Sequence, residues 1–134
     1  DHSSFAEFGG IWPSHCVEGT RGSAIHEAFY TDVVNPANRP DPARNIFRKG
    51  CKQDEEQYSG FESVNSNGVA LKDYANKDVV ISGIATEYCV KNTVEEFLNS
   101  GRNIELLLEG LGYVDYEGHK KTIKELEEVV TVVK

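Results

Sequence analysis

Cys89 is the residue with the most chemistry to offer. It follows the apolar run DVVISG at 78–83 and the turn GIATEY at 83–88, and it opens a stretch where Val90, Val94 and Phe97 recur at i, i+4 and i+7. That order predicts a strand, a tight turn and an amphipathic helix, with Thr86 placed as the helix N-cap. A thiol at such an elbow meets unpaired N–H groups and the positive end of the helix dipole. Both favour a thiolate and supply donors for an oxyanion, the arrangement that nucleophilic acyl chemistry needs. The same position equally suits a cysteine acting as a small apolar side chain at the start of a buried helix.

Lys49 closes the strand-like run NIFRKG at 45–50 and precedes a polar loop that ends in QYSGF. Its ammonium either points at the same crevice, where a cation favours the charged form of a sulfur, or is solvated at a strand end. Tyr58 and the turn after it either line a pocket or pack as ordinary core. His2 and His15, with His26 further on, lie in the loop-rich first half, and imidazole is a common ligand of transition metals. Spacing alone does not make them a site: zinc-class ions need three or four ligands, and neither HExxH nor CxxC is present. Trp12, the only Trp, sits in IWPSHC beside a proline-restricted backbone. It either walls a pocket for a planar ligand or anchors the loop.

The elements that must position these groups fall in two unlike halves. Residues 1–44 are punctuated by Pro13, Pro36, Pro40 and Pro42 and read as loop, with only SAIHEAFYTDVV able to form short regular pieces. From Asn45 the pattern regularises into strand 45–50, a buried strand 78–83, the helix of Val90, Val94 and Phe97 ending at Gly101, strand NIELLLEG, helix HKKTIKELEEV and a last strand VTVV. Strands alternating with helices imply an α/β fold: a mostly parallel sheet with helices on both faces and a ligand crevice at the strand C-terminal ends.

A length of 134 residues suits a single domain, and 39% hydrophobic with 27% charged residues supports a packed core. Fourteen basic against 22 acidic side chains leave a net charge of −8, which disfavours nucleic acid and anionic membranes as partners. No apolar run is long enough to span a bilayer, and the first ten residues do not resemble a signal peptide. Three cysteines, Cys16, Cys51 and Cys89, fit a reducing, cytoplasmic setting better than a disulfide scaffold. The sequence has no Met and opens on Asp1, so a leading segment is expected ahead of it.

Four motifs, in order, carry a family resemblance: HSSF at 2–5, WPSHCVEGTRGS at 12–23, KGCKQDEEQYSGF at 49–61 and GIATEYCVKNTVEEFLNSG at 83–101. Together they span nearly the whole chain, which resembles the nicotinamidase/pyrazinamidase branch of the isochorismatase-like cysteine hydrolases. The resemblance implies one such domain over 1–134, N-terminally incomplete and without its opening strand, so that the sheet exposes an unpaired edge.

By the same resemblance Cys89 is the nucleophile, Lys49 the cation of a Cys-Lys-Asp triad, and His2 and His15 two ligands of a divalent metal (zinc, iron or manganese). The family carries its aspartate and two further metal ligands ahead of HSSF. Asp1 matches a variable position and takes none of these roles. A cis peptide at Ile84-Ala85 is implied, aiming the N–H of Ala85 alongside that of Cys89 as an oxyanion hole. Trp12, Tyr58 and Ile84 would contact the substrate, an aromatic amide such as nicotinamide or pyrazinamide, hydrolysed to acid and ammonia through a thioester in NAD salvage. A homo-oligomer is compatible with the family. The competing readings are a carbamoylsarcosine-type amidase of the same fold, against which HSSF and WPSHC speak, and a non-catalytic binding or assembly protein.

Overall fold

The computed structural model describes residues 2–134; Asp1 lies outside them. In chain order the elements are α1 (Ala28–Thr31), α2 (Leu71–Tyr74), β1 (Asp78–Gly83), α3 (Lys91–Asn99), β2 (Asn103–Leu111), α4 (Tyr116–Leu126) and β3 (Thr131–Val133). The three strands form a parallel sheet in the order β1-β2-β3. The βαβαβ order expected from hydrophobic periodicity is therefore present.

Alternation decides what the sheet buries. Ile81, Ile104 and Leu106 point to one face and join Val90, Val94 and Phe97 of the α3 region and Leu126 and Val130 around α4 in one core. Val94, Phe97 and Leu106 are at most 1% exposed. Burying side chains of this size stabilises the fold by roughly 1.5–3 kcal/mol each. Both crossovers advance in the same direction, so α3 and α4 share that face. The second helical layer of the three-layer expectation is not among the described elements, and on the opposite face Val80 is 60% exposed. No described helix is long and apolar enough to cross a membrane.

Two sequence expectations need correction. DVVISG is not a buried strand: β1 pairs with β2 alone among the described residues, and only Ile81 of its six residues is buried. NIFRKG is not a strand of the sheet. Arg48 makes one isolated antiparallel bridge to Val64, because its alternating pattern finds a loop as partner instead of a strand. Residues 2–44 are loop and short turns, as read, with α1 the one α-helical turn among them.

Local chemistry sets the helix ends. Past α3, Gly101 takes φ +84, its N–H donates to Leu98 O at 2.9 Å, and the Arg102 N–H donates to Phe97 O at 3.2 Å. This paired closure needs a left-handed residue, which glycine supplies without a Cβ penalty. Helix α4 starts three residues earlier than its charge pattern suggests, because the Asp115 side chain accepts from the Gly118 N–H at 2.6 Å.

Candidate active site

The β1 to α3 connection is built by the neighbouring strand. The β1/β2 register shifts between Ile81 and Gly83, so that Gly83 pairs with Leu111. The N–H of Gly112 then donates to Gly83 O at 3.0 Å, and Gly112 O accepts from the Thr86 N–H at 2.9 Å. A Cβ at Gly112 would collide with the Cγ2 methyl of Ile84, so any larger residue there would have to turn that exposed side chain aside. The Ile84-Ala85 peptide is cis, as the family resemblance implies.

Residues Thr86–Val90 form a π-turn that runs straight into α3, with Cys89 inside it. Thr86 is not the N-cap; that position is Ala85, without a side-chain cap. Thr86 is fully buried instead. Its hydroxyl donates to Gly112 O at 2.9 Å and lies 2.9 Å from His119 Nδ1, which ties the turn to β2 and α4. Glu87 adds a second tie: its Oε1 accepts from the Val114 and Asp115 N–H groups at 2.7 and 2.6 Å. Tied to this one neighbouring segment at two successive residues, the turn holds Cys89 half-buried. Neither the Thr86 to His119 link nor Glu87 is legible in the sequence, since both depend on the β2/α4 loop folding back.

Lys49 meets Cys89 from 40 residues away, with Nζ 3.4 Å from Sγ and also donating to Gln57 O at 3.0 Å. Among the described residues no carboxylate pairs with either group. Beside them stands an aromatic group. Trp12 Nε1 donates to Tyr58 Oη at 3.1 Å, and Tyr88 packs edge-on against Trp12 at 4.8 Å and lies 5.7 Å from the Tyr58 ring. Tyr88 was missed by sequence reasoning, although it immediately precedes the nucleophile candidate. Thr93 was missed as well. It accepts from the Gly60 N–H at 2.9 Å and donates to Cys89 O at 2.6 Å, joining the YSGF turn to the cysteine's helix.

Of the oxyanion candidates, Ala85 immediately precedes the π-turn and Cys89 lies within it, and among the described residues no acceptor meets the Ala85 N–H. Ile84 lies against Gly112 and is 76% exposed.

His2 and His15 flank buried Phe5, their rings 6.0 and 5.2 Å from it, in a loop closed by a bridge between Phe5 and Trp12. His15 Nδ1 lies 2.7 Å from Pro13 O. An N–H there leaves the Nε2 lone pair free, the usual arrangement of a metal-binding imidazole. His2 differs: its Nδ1 accepts from the Ser4 N–H at 3.1 Å and its Nε2 lies 3.0 Å from Glu55 O. His26 accepts from the Ala28 N–H within its own turn. No group of three metal-binding side chains forms among the described residues.

No protein-family model matches the chain. It is 31% identical over 136 residues to the nicotinamidase/pyrazinamidase of Mycobacterium tuberculosis, a match that takes in 98% of this chain and 66% of that protein. The pyrazinamidase of Pyrococcus horikoshii, solved in complex with zinc, superposes with a TM-score of 0.76 at 32% identity, over 99% of this chain and 68% of that one. An L. infantum protein solved in complex with nicotinate gives a TM-score of 0.77 at 30% identity, over 99% and 65%. The chain spans between 45% and 66% of the length of the curated relatives it matches. With its four motifs in order, Lys49 set against Cys89 and this likeness along nearly its whole length, the chain belongs to the nicotinamidase/pyrazinamidase family.

Proposed function

We propose that the protein containing this chain hydrolyses a flat aromatic amide, nicotinamide or pyrazinamide, to the acid and ammonia. The observation that carries the reading is the 3.4 Å approach of Lys49 Nζ to Cys89 Sγ beside the rings of Trp12, Tyr58 and Tyr88. The ammonium sets a positive charge beside the sulfur, and the rings offer an apolar wall to a planar substrate. The Cys89 sulfur attacks the amide carbon, and the resulting oxyanion lies between the N–H groups of Ala85 and Cys89. The C–N bond then breaks and ammonia leaves. Water adds to the thioester, the C–S bond breaks, and the thiol regains its proton as the acid departs. Ile84 would border the substrate on the Gly112 side. The proton carrier in this scheme is the aspartate that the family places ahead of HSSF.

The zinc of the Pyrococcus relative supports a divalent metal in this reading, and His2 and His15 are the ligands this chain offers. Two imidazoles fall short of the three or four donors of a zinc-class site. His2 Nε2 is also engaged by Glu55, so the described residues alone do not fit a bound ion, and no step runs through one.

The alternative is a non-catalytic binder of the same small molecules. Incubating the purified natural protein with nicotinamide and measuring ammonia and nicotinate separates the two. Release of both products supports the hydrolase; binding of nicotinate with no ammonia from either amide supports the binder.

A further inference from the structure

The loop that joins Lys49 to the YSGF turn is exposed from Gly50 to Glu56, and Gln57 is the first residue to re-enter the body of the protein. Gln57 grips the start of the loop twice. Its backbone carbonyl accepts from Lys49 Nζ at 3.0 Å, and its side-chain Oε1 accepts from the Gly50 N–H at 2.9 Å. One bond holds the ammonium that reaches Cys89 and the other holds the backbone just after Lys49, and both end on Gln57. The loop interior adds contacts to the first turn of the chain, where the Ser3 N–H donates to Gln53 O at 2.8 Å. These contacts do not touch Lys49.

A flexible lysine has three donor N–H groups and a long stem with rotamer freedom to lose. Nothing on Lys49 itself selects the rotamer that faces the sulfur. The Gln57 carbonyl takes one donor of the ammonium and leaves another for Sγ. It can do so only if the backbone at 57 stays in register with the backbone at 50, and the Oε1 bond to Gly50 fixes that register. We infer that Gln57 is a positioning residue: its side chain holds the loop closed so that its own carbonyl keeps the Lys49 ammonium on Cys89. This rests on the pairing of Lys49 with Cys89 used in the proposed function.

The test reads the sulfur directly and needs no substrate. In the full chain near neutral pH, the alkylation rate of each cysteine by iodoacetamide is followed by peptide mass spectrometry, with exposed Cys16 as the internal reference. Lys49→Ala should slow alkylation of Cys89 about tenfold, and Gln57→Ala about three- to tenfold, because each removes or loosens the positive charge beside the attacking sulfur. Gln57→Glu, which keeps an acceptor for the Gly50 N–H, should restore most of the rate. In a Lys49→Ala background, Gln57→Ala should add nothing, which a merely structural role would not produce. Gln57→Met repeats the test at nearly constant side-chain length should the alanine variant fold poorly. A Cys89 rate unchanged by Gln57→Ala and Gln57→Met, with Lys49→Ala still slow, would overturn the role of Gln57 and leave the hydrolase reading standing. A rate unchanged by Lys49→Ala would overturn the pairing itself and this inference with it.

Discussion

Thr93 donates its hydroxyl to the backbone carbonyl of Cys89, 2.6 Å away and one turn earlier. Because the same oxygen accepts from the Gly60 N–H, this one side chain couples the cysteine's turn to the loop that carries Tyr58. Thr93→Val keeps the shape and removes both bonds, stranding a partly buried N–H. The expected loss is about 1–3 kcal/mol, seen as a melting temperature lower by several degrees. An unchanged melting curve would show that neither bond matters to the fold.

Phe97 is the largest side chain buried below 2% exposure and stacks edge-on with Phe61 at 4.9 Å. Phe97→Ala should cost about 3–5 kcal/mol, a large share of the ~5–15 kcal/mol that holds a domain of this kind together. Urea denaturation of the variant should show a strongly lowered midpoint. A shift worth under about 1 kcal/mol would mean that the core collapses around the gap.

Trp12 is the only Trp of this sequence, so in this chain emission excited at the red edge of tryptophan absorption, where the six tyrosines do not absorb, reports on the aromatic wall. Nicotinate should change the emission of Trp12, and Cys89→Ala should keep that change, because the wall does not need the thiol. Tyr58→Phe removes the acceptor of the Trp12 N–H and should weaken nicotinate binding roughly fivefold, the factor that corresponds to about 1 kcal/mol. An emission that ignores saturating nicotinate would place the ligand elsewhere.

Lys91 Nζ lies 2.7 Å from Glu125 Oε2 and joins the start of α3 to α4. The hydrogen bond from Lys91, followed by its charge, holds the Glu125 carboxyl below its ordinary value of 4.5. The same bond to Glu125 raises Lys91 above 10.5. A lowered carboxyl contributes stability above its unfolded value and loses it as pH falls through the folded one. A raised ammonium contributes below its unfolded value and loses it as pH rises through the folded one. Glu125→Gln should therefore lower the melting temperature slightly near neutral pH and match the natural protein in strong acid and strong alkali. A pH-independent difference would assign the effect to packing. The pair is exposed, so the effect is small.

The parts of the fold legible in the sequence are those with regular periodicity. Val90, Val94 and Phe97 announce α3, and β-branched runs announce the strands. What stayed hidden depends on contacts between distant segments. Arg48 bridges to Val64 and leaves 45–50 outside the sheet. Thr86 turns inward to Gly112 and His119 and does not cap the helix. Asp115 starts α4 early through a cap that a charge pattern does not reveal. At the site, Cys89, Lys49, Trp12 and Tyr58 were readable because motif order carries them. Tyr88, Thr93 and Gln57 act through geometry that only the folded loops create.

The most direct test of the central claim is a single turnover of the natural protein with nicotinamide, quenched in acid and read by peptide mass spectrometry. A nicotinoyl thioester should appear on the peptide that carries Cys89 and be absent in Cys89→Ala, together with ammonia release. Turnover that leaves Cys89 unmodified, and that survives Cys89→Ala, would contradict that claim.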